Sequence, residues 1–362
     1  WDRFYGTLDW YQTNTDDVAW NAPISYAMSG QTTLAANSAR MRTRGFELEL
    51  GVDIIKTPNT LWSFNVNGST YYTTILEVPE GTGSAQLNGC WTAPADAWSI
   101  AGTGGTSNNI TYLRGIGKPY YNMYIYKYGG VDPASGLPLI ASTVSDENIS
   151  KLQATSGNVY GDIVKGNTVY TTDYTLATRQ EFGDATPDFI GGFGTSLKWK
   201  NLDFSAQFAF QIGGKFLSVA DANHYYRSDQ TGYYHMSADL KGNTFTASNT
   251  GARYPMVILD NPNSNGYTGG STIGSWAYTD MALYSASYLN VKNLTLGYNF
   301  PQKWMDKIGI GGIRVYASFD NFWMLTTHKG IDPRMSLVGG MDVGAMAYPY
   351  MRTCSLGVNV TF

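Results

Sequence analysis

Apolar and polar residues alternate one by one along much of this chain. In "LDFSAQFAFQI", Leu202, Phe204, Ala206, Phe208, Phe210 and Ile212 fall on one side, and Asp203, Ser205, Gln207 and Gln211 on the other. "GFELELGVDI" sets Phe46, Leu48, Leu50, Val52 and Ile54 against Glu47, Glu49, Gly51 and Asp53. The chain closes on "RTCSLGVNVTF", where Cys354, Leu356, Val358, Val360 and Phe362 oppose Thr353, Ser355, Gly357, Asn359 and Thr361. Period two is the mark of a β-strand with two unlike faces. The same pattern runs through "RFYGTLDWYQ", "LWSFNVNGS", "FGTSLKW", "NLTLGYNF" and "IRVYASFD". "YYNMYIYKY", aromatic on both faces, and "GLPLIAS" complete about ten predicted strands.

One such strand fits either a soluble sandwich or a membrane barrel; the connections separate the two. The first predicted connection takes about 25 residues and the next is the short "TPN". A long one follows (about 79–116), then "GGVDPASG", then a long one (about 143–186), then the turn "KN". The longest (about 218–283), the modest "PQKWMDKIGIGG" and a further long one (about 326–346) end the series. Long and short alternate throughout. An up-and-down antiparallel barrel crossing an outer membrane has this asymmetry, with short periplasmic turns and long extracellular loops. A Greek-key sandwich has no reason for it. Trp10, Trp62, Trp199, Phe300 and Phe362 stand near strand ends on the apolar faces, where an aromatic girdle meets the two lipid–water interfaces.

Composition narrows the reading further. Only 14% of the 362 residues are charged, against about 25% in soluble domains. Aromatics also reach 14%, with 27 Tyr, 10 Trp and 41 Gly. The net charge of −4 argues against a nucleic-acid partner. No apolar run reaches the roughly 18 residues of a helical span, which leaves alternating strands as the route through a bilayer. Two cysteines, Cys90 and Cys354, have no metal spacing and are not expected to pair. The chain begins mid-pattern at "WDRFYGTLDW", as a cleaved or partial product would.

Candidate chemistry is sparse. No catalytic constellation stands out, so an enzyme is not expected, nor a cofactor or metal. The histidines are His224, His235 and His328; the first two share one loop. "NPNSNGYTGGST" has the Asn and Gly of a calcium loop but lacks its acidic first ligand and closing Glu. The long loops offer better binding candidates: Trp91 and Trp98 in one, and Tyr225, Tyr226, Tyr233, Tyr234, Trp276 and Tyr278 in another. Aromatic faces stack on the apolar faces of sugars and pack peptide side chains; the plainer reading is that these residues pack the loops together.

Six stretches, in order over nearly the whole chain, resemble the C-terminal half of SusC-like (SusC/RagA) TonB-dependent transporters. They are "RTRGFELELGVDII", "YIYKYGGVDPASGLP", "ATPDFIGGFGTSLKWKNLDFSAQFAFQIGG", "ASYLNVKNLTLGYNFPQ", "IRVYASFDNFWMLTTHKGIDPR" and the strand ending in Phe362. The resemblance implies that residues 1–362 are about the last ten strands of a 22-stranded outer-membrane barrel of a Gram-negative bacterium. The plug domain and N-terminal strands would lie outside this chain and be its partners. It implies that Phe362 faces lipid and serves as an outer-membrane assembly signal. It further implies import of oligomeric nutrients, oligosaccharides or peptides, with a SusD-like lipoprotein as lid and TonB–ExbB–ExbD as energy source. The alternative is a passive barrel, either a porin or the scaffold of a surface or secretion complex.

Overall fold

A computed structural model describes residues 3–94, 111–142, 164–165, 168–172, 177–218, 221–222, 237–257, 279–337, 341–342 and 350–362. Its largest element is a sheet of eight strands: β1 (Phe4–Pro23), β2 (Thr33–Thr57), β3 (Thr60–Glu77), β4 (Pro187–Trp199), β5 (Leu202–Gly213), β6 (Tyr288–Asn299), β7 (Gly312–Thr326) and β8 (Thr353–Thr361). Their order across the sheet is their order along the chain, and every neighbouring pair is antiparallel. This is the up-and-down wall that the alternation predicts. Among the described residues β1 and β8 are its two edges, each paired on one side.

Among the described residues the wall has eight strands, where about ten are expected. The segments expected as strands at "YYNMYIYKY" and "GLPLIAS" do form strands, at Asn122–Tyr126, Tyr128–Val131 and Pro138–Ser142, but in other sheets. Asn122–Tyr126 pairs with Thr111–Arg114 and Arg179–Asp184. Pro138–Ser142 lies between Tyr128–Val131 and Thr168–Thr171. The physical reason is in the side chains. Met123, Ile125, Leu139, Ile140 and Ala141 are all buried. A segment with apolar groups on successive positions, and no polar face to give to water, is covered on both sides rather than placed in a two-faced wall. Removing two strands preserves parity, so the long–short alternation survives. Connections 24–32, 78–186, 214–287 and 327–352 lie at one end, and 58–59, 200–201 and 300–311 at the other.

The first connection is also shorter than expected. Instead of about 25 loop residues, β1 and β2 stay paired up to Pro23↔Thr33, interrupted by a bulge between Thr15 and Val18. Residues here are polar on both faces, which hid the strand from a period-two reading. A hairpin with polar residues on both faces, covered on one side only at Trp20 and Ala39, has little reason to alternate. Cross-strand pairs hold it: Arg44 Nε donates to Gln12 Oε1 (2.9 Å), Arg42 Nε to Asn14 Oδ1 (3.1 Å) and Arg40 Nε to Asp16 Oδ1 (2.5 Å).

The main hydrophobic core sits in the connections. Tyr112, Met123, Ile125, Ile140, Leu217, Leu240 and Tyr254 form one buried cluster, drawn from connections 78–186 and 214–287. A smaller one, Trp20, Ala39 and Ile75, closes the outer ends of β1–β3. On the wall, by contrast, large apolar side chains are exposed: Leu8 at 70% and Leu356 at 82%. A soluble sheet inverts this distribution.

Candidate functional site

The register of the eight strands assembles two continuous surfaces. Residues directly opposite in an antiparallel pair share a face. One row runs Val52, Phe64, Thr195, Ala206, Leu294, Phe319 and Cys354 across β2 to β8. Its neighbours on the same face are Leu50, Val66, Phe193 and Phe208 on one side, and Trp62, Leu197, Phe204, Leu296, Ala317 and Leu356 on the other. The Phe193 and Phe208 rings stack at 4.5 Å with 11° between planes. Trp62, Trp199 and Phe362 mark the short-turn end of this apolar face, and Trp10 the other end; all four are exposed. Trp62 keeps its indole N–H satisfied by donating to Thr195 Oγ1 at 2.8 Å. Phe362, one residue past β8 on the apolar parity, is 97% exposed.

The opposite face is a polar ladder. Ser63, Ser196, Ser205, Thr295, Ser318 and Ser355 are in register across β3 to β8. Beside them Asn293 Nδ2 donates to Asp320 Oδ1 (2.7 Å) and Ser318 Oγ (3.0 Å). Nearer the short turns, Arg314 donates two hydrogen bonds to Asp203, at 2.5 and 3.2 Å, and Asn299 Nδ2 a third. Where a strand crowds its neighbour, glycine makes room: an ideal Cβ at Gly51 would lie 2.1 Å from the Tyr5 ring, which covers that position from β1. A concavity of about 560 Å³ opens along this face, lined by Asp9, Glu47, Glu49, Asn67, Gln211 and Tyr288. The polar side is therefore the hollow side, and the apolar side faces outward.

Of the loop aromatics singled out in the sequence, Trp91 falls among the described residues. It packs on Trp20 with ring centroids 5.2 Å apart, joining the small core at the tops of β1–β3. That contact ties a residue of the long connection 78–186 to strand β1. Trp98, Tyr225, Tyr226, Tyr233, Tyr234, Trp276 and Tyr278 lie outside the described residues, as do His224 and His235.

Sequence reasoning missed the polar links between connections. His328 Nε2 lies 2.6 Å from Asp221 Oδ2, and its ring stacks on Tyr284 at 3.7 Å, tying connection 327–352 to connection 214–287. Burial pushes the Tyr284 phenol well above its ordinary range, and the Asp221 carboxylate adds to the shift. Asp280 accepts from the Tyr128 backbone N–H at 2.7 Å, across the two longest connections, and burial raises its carboxyl. Within connection 78–186, Lys118 donates to both oxygens of Glu181 at 2.8 Å. These partners are tens of residues apart with no period between them, so nothing in the sequence could announce them. Among the described residues no group of three or more His, Cys, Asp or Glu is placed to hold a metal ion. Cys90 and Cys354 are both free thiols. Among the described residues the arrangement is one of surfaces: an apolar face, a polar face, and a packed layer at one end.

Comparison with known proteins follows this division. No family model matches the chain. TonB-dependent receptor P3 of Formosa agariphila is 25% identical over 371 residues, which is all of this chain and 32% of that protein. TonB-dependent receptor SusC of Bacteroides thetaiotaomicron is 24% identical over 368 residues, 99% of this chain and 30% of its own length. Among solved structures, the RagAB peptide transporter superposes with a TM-score of 0.68 at 21% identity, covering all of this chain and 34% of that one. The RagAB peptide importer in its 'open-open' state gives 0.69 at 20%. The chain thus spans about a third of the length of the relatives it matches, and its antiparallel wall is a fold it shares with these transporters. By sequence along its whole length, the chain is a relative of SusC-like TonB-dependent receptors, with the extent of one portion of such a protein.

Proposed function

We propose that this chain is part of the barrel wall of an outer-membrane importer of oligomeric nutrients, oligosaccharides or peptides. The observation that carries this reading is the two-faced wall: a continuous apolar face turned outward and exposed, and a hydrogen-bonded polar face turned toward a hollow. In lipid every backbone polar group must be paired internally, which a sheet achieves only when closed. Edges β1 and β8 therefore pair with strands beyond residues 1–362, supplied by the rest of the receptor together with a plug. The eleven residues 202–212 match the roughly 9–11 that a tilted strand needs to cross a bilayer. Kinship to SusC and to RagAB, a peptide transporter and importer by name, supports import over passive diffusion.

In this reading the layer built from the long connections is extracellular and is the seat for a SusD-like lipoprotein lid. Tyr225, Tyr226, Tyr233, Tyr234, Trp276 and Tyr278 are the aromatics expected to contact the nutrient. Movement of a plug is powered by TonB–ExbB–ExbD, and Phe362 addresses the chain to the assembly machinery. A tag inserted at Asn263, within connection 214–287, is expected to be labelled on intact cells. Labelling only after permeabilisation would reverse the orientation.

Growth on candidate glycans and peptides as sole nutrient tests the transport reading. Removing TonB should abolish growth on the true substrate while surface capture persists. Excising residues 258–278 should weaken lid association and import. Deleting the whole of 214–287 would also remove Leu217, Leu240 and Tyr254 from the shared core, so the smaller excision is the cleaner test. Growth unchanged in both strains would favour a porin or scaffold instead.

A further inference from the structure

Just beyond Trp10 and Phe46 the outward face of β1–β3 changes character. Arg44, Arg42 and Arg40 occupy every second position of β2, so they project from the side that carries Phe46, Leu48 and Leu50. On β1 they meet Gln12, Asn14 and Asp16, which continue the parity of Leu8 and Trp10. On β3, Tyr72 lies opposite Arg44 and Thr74 opposite Arg42. A strand rises about 3.4 Å per residue and a barrel strand is tilted by about 45°. Arg44 and Arg42 therefore stand roughly 5 and 10 Å beyond the aromatic boundary. Headgroup layers add roughly 5–8 Å to each side of the hydrocarbon, so the Arg44 backbone falls within that layer and the Arg42 backbone roughly 2–5 Å beyond it, a gap its long side chain can span.

The partners of the three arginines differ in charge. Asp16 pairs with Arg40 at 2.5 Å, and Glu77 lies 3.8 Å from the same guanidinium. Gln12 and Asn14 are neutral amides. They fix the guanidinium planes of Arg44 and Arg42 through Nε and leave the charge uncompensated. The terminal nitrogens of both arginines have no hydrogen-bond partner among the described residues, and both lie on the same face as exposed Tyr72. On β1–β3 the acidic groups of this region, Asp16, Asp17 and Glu77, stand at or beyond Arg40, further from the apolar band; near Tyr72 a further cation, Lys118, is paired with Glu181. Guanidinium forks suit phosphate oxygens, which they bind bidentately.

We propose that Arg42 and Arg44, with the hydroxyls of Tyr72 and Thr74 beside them, bind the phosphate of an anionic lipid headgroup in the leaflet on the long-connection side. The site rests on the reading of β1–β3 as membrane wall. It holds the outer leaflet against the base of the β1–β2 hairpin, which projects beyond it.

The test uses the protein purified from membranes and reconstituted in vesicles carrying spin-labelled phosphatidylglycerol or phosphatidylcholine. The wild-type protein should immobilise phosphatidylglycerol preferentially, by roughly fivefold for each arginine engaged. The double variant Arg42→Gln, Arg44→Gln should lose the preference while still immobilising both lipids. Arg40→Gln should keep it, because Arg40 is already paired with Asp16. Preference that survives in the double variant, or its absence in the wild type, overturns the inference and leaves the membrane reading intact. Displacement of phosphatidylglycerol by equimolar inorganic phosphate would make this a free-anion site and overturn the lipid assignment. Failure to immobilise either lipid would instead overturn the membrane wall itself.

Discussion

Arginine at Phe208 should cost on the order of 2–4 kcal/mol of stability in a bilayer, and arginine at the adjacent Gln207 less than about 0.5 kcal/mol. Phe208 lies midway along β5, on the outward face, stacked on Phe193 from β4. A guanidinium there stands near the middle of the hydrocarbon and must either desolvate or drag water inward. Gln207 is exposed on the polar face, opposite Gly194 on one side and Asn293 on the other. The same charge there stays hydrated. The measurement is equilibrium denaturant unfolding of the protein in lipid vesicles, one variant at a time. Equal losses at the two positions would mean that the faces do not look into different solvents.

Truncating Ile125 to alanine should destabilise the extramembrane layer by about 2–5 kcal/mol, the range for removing most of a buried aliphatic side chain. Ile125 is fully buried, packed in the cluster with Tyr112, Met123, Leu217, Leu240 and Tyr254. The cluster joins connections 78–186 and 214–287, so its loss should loosen both together. The wall should stay folded, because its backbone hydrogen bonds lie within the sheet and do not depend on that core. Limited proteolysis on intact cells should show earlier cleavage within 111–142 and 237–257. Heat-modifiable migration in detergent gels should remain that of the folded barrel. If the variant loses both, core and wall form one cooperative unit and the division drawn here fails.

Legibility of the structure followed burial geometry. β5 and β8 were readable to within a residue or two, because each faces two different environments and the side-chain period of two writes that difference into the sequence. The upper halves of β1 and β2 were not readable. Polar residues stand on both of their faces, so Gln12, Asn14, Arg42 and Arg44 look like loop residues although they are hydrogen-bonded strand. Asn122–Tyr126 and Pro138–Ser142 failed in the opposite way. Both of their faces are covered, so an apolar run looked like wall when it was core. Trp91 was visible as an aromatic in a long loop, but its partner Trp20 is some seventy positions earlier, and only folding sets the two rings together. The link between Asp221 and His328 is of the same kind.

By itself the sequence determined the outward and inward faces of the wall, the side on which the long connections gather, and the lack of any helical span. These follow from local rules: alternation along a strand, and the length of chain between strands. The tertiary structure alone decided that eight strands and not ten build the wall among the described residues, that the principal core lies in the connections, and that Arg40 is paired with a carboxylate while Arg42 and Arg44 meet only neutral amides. Those outcomes depend on which distant segment lies alongside. Strand pairing and core packing are chosen by the free energy of the whole assembly, in which a residue's partner matters as much as the residue.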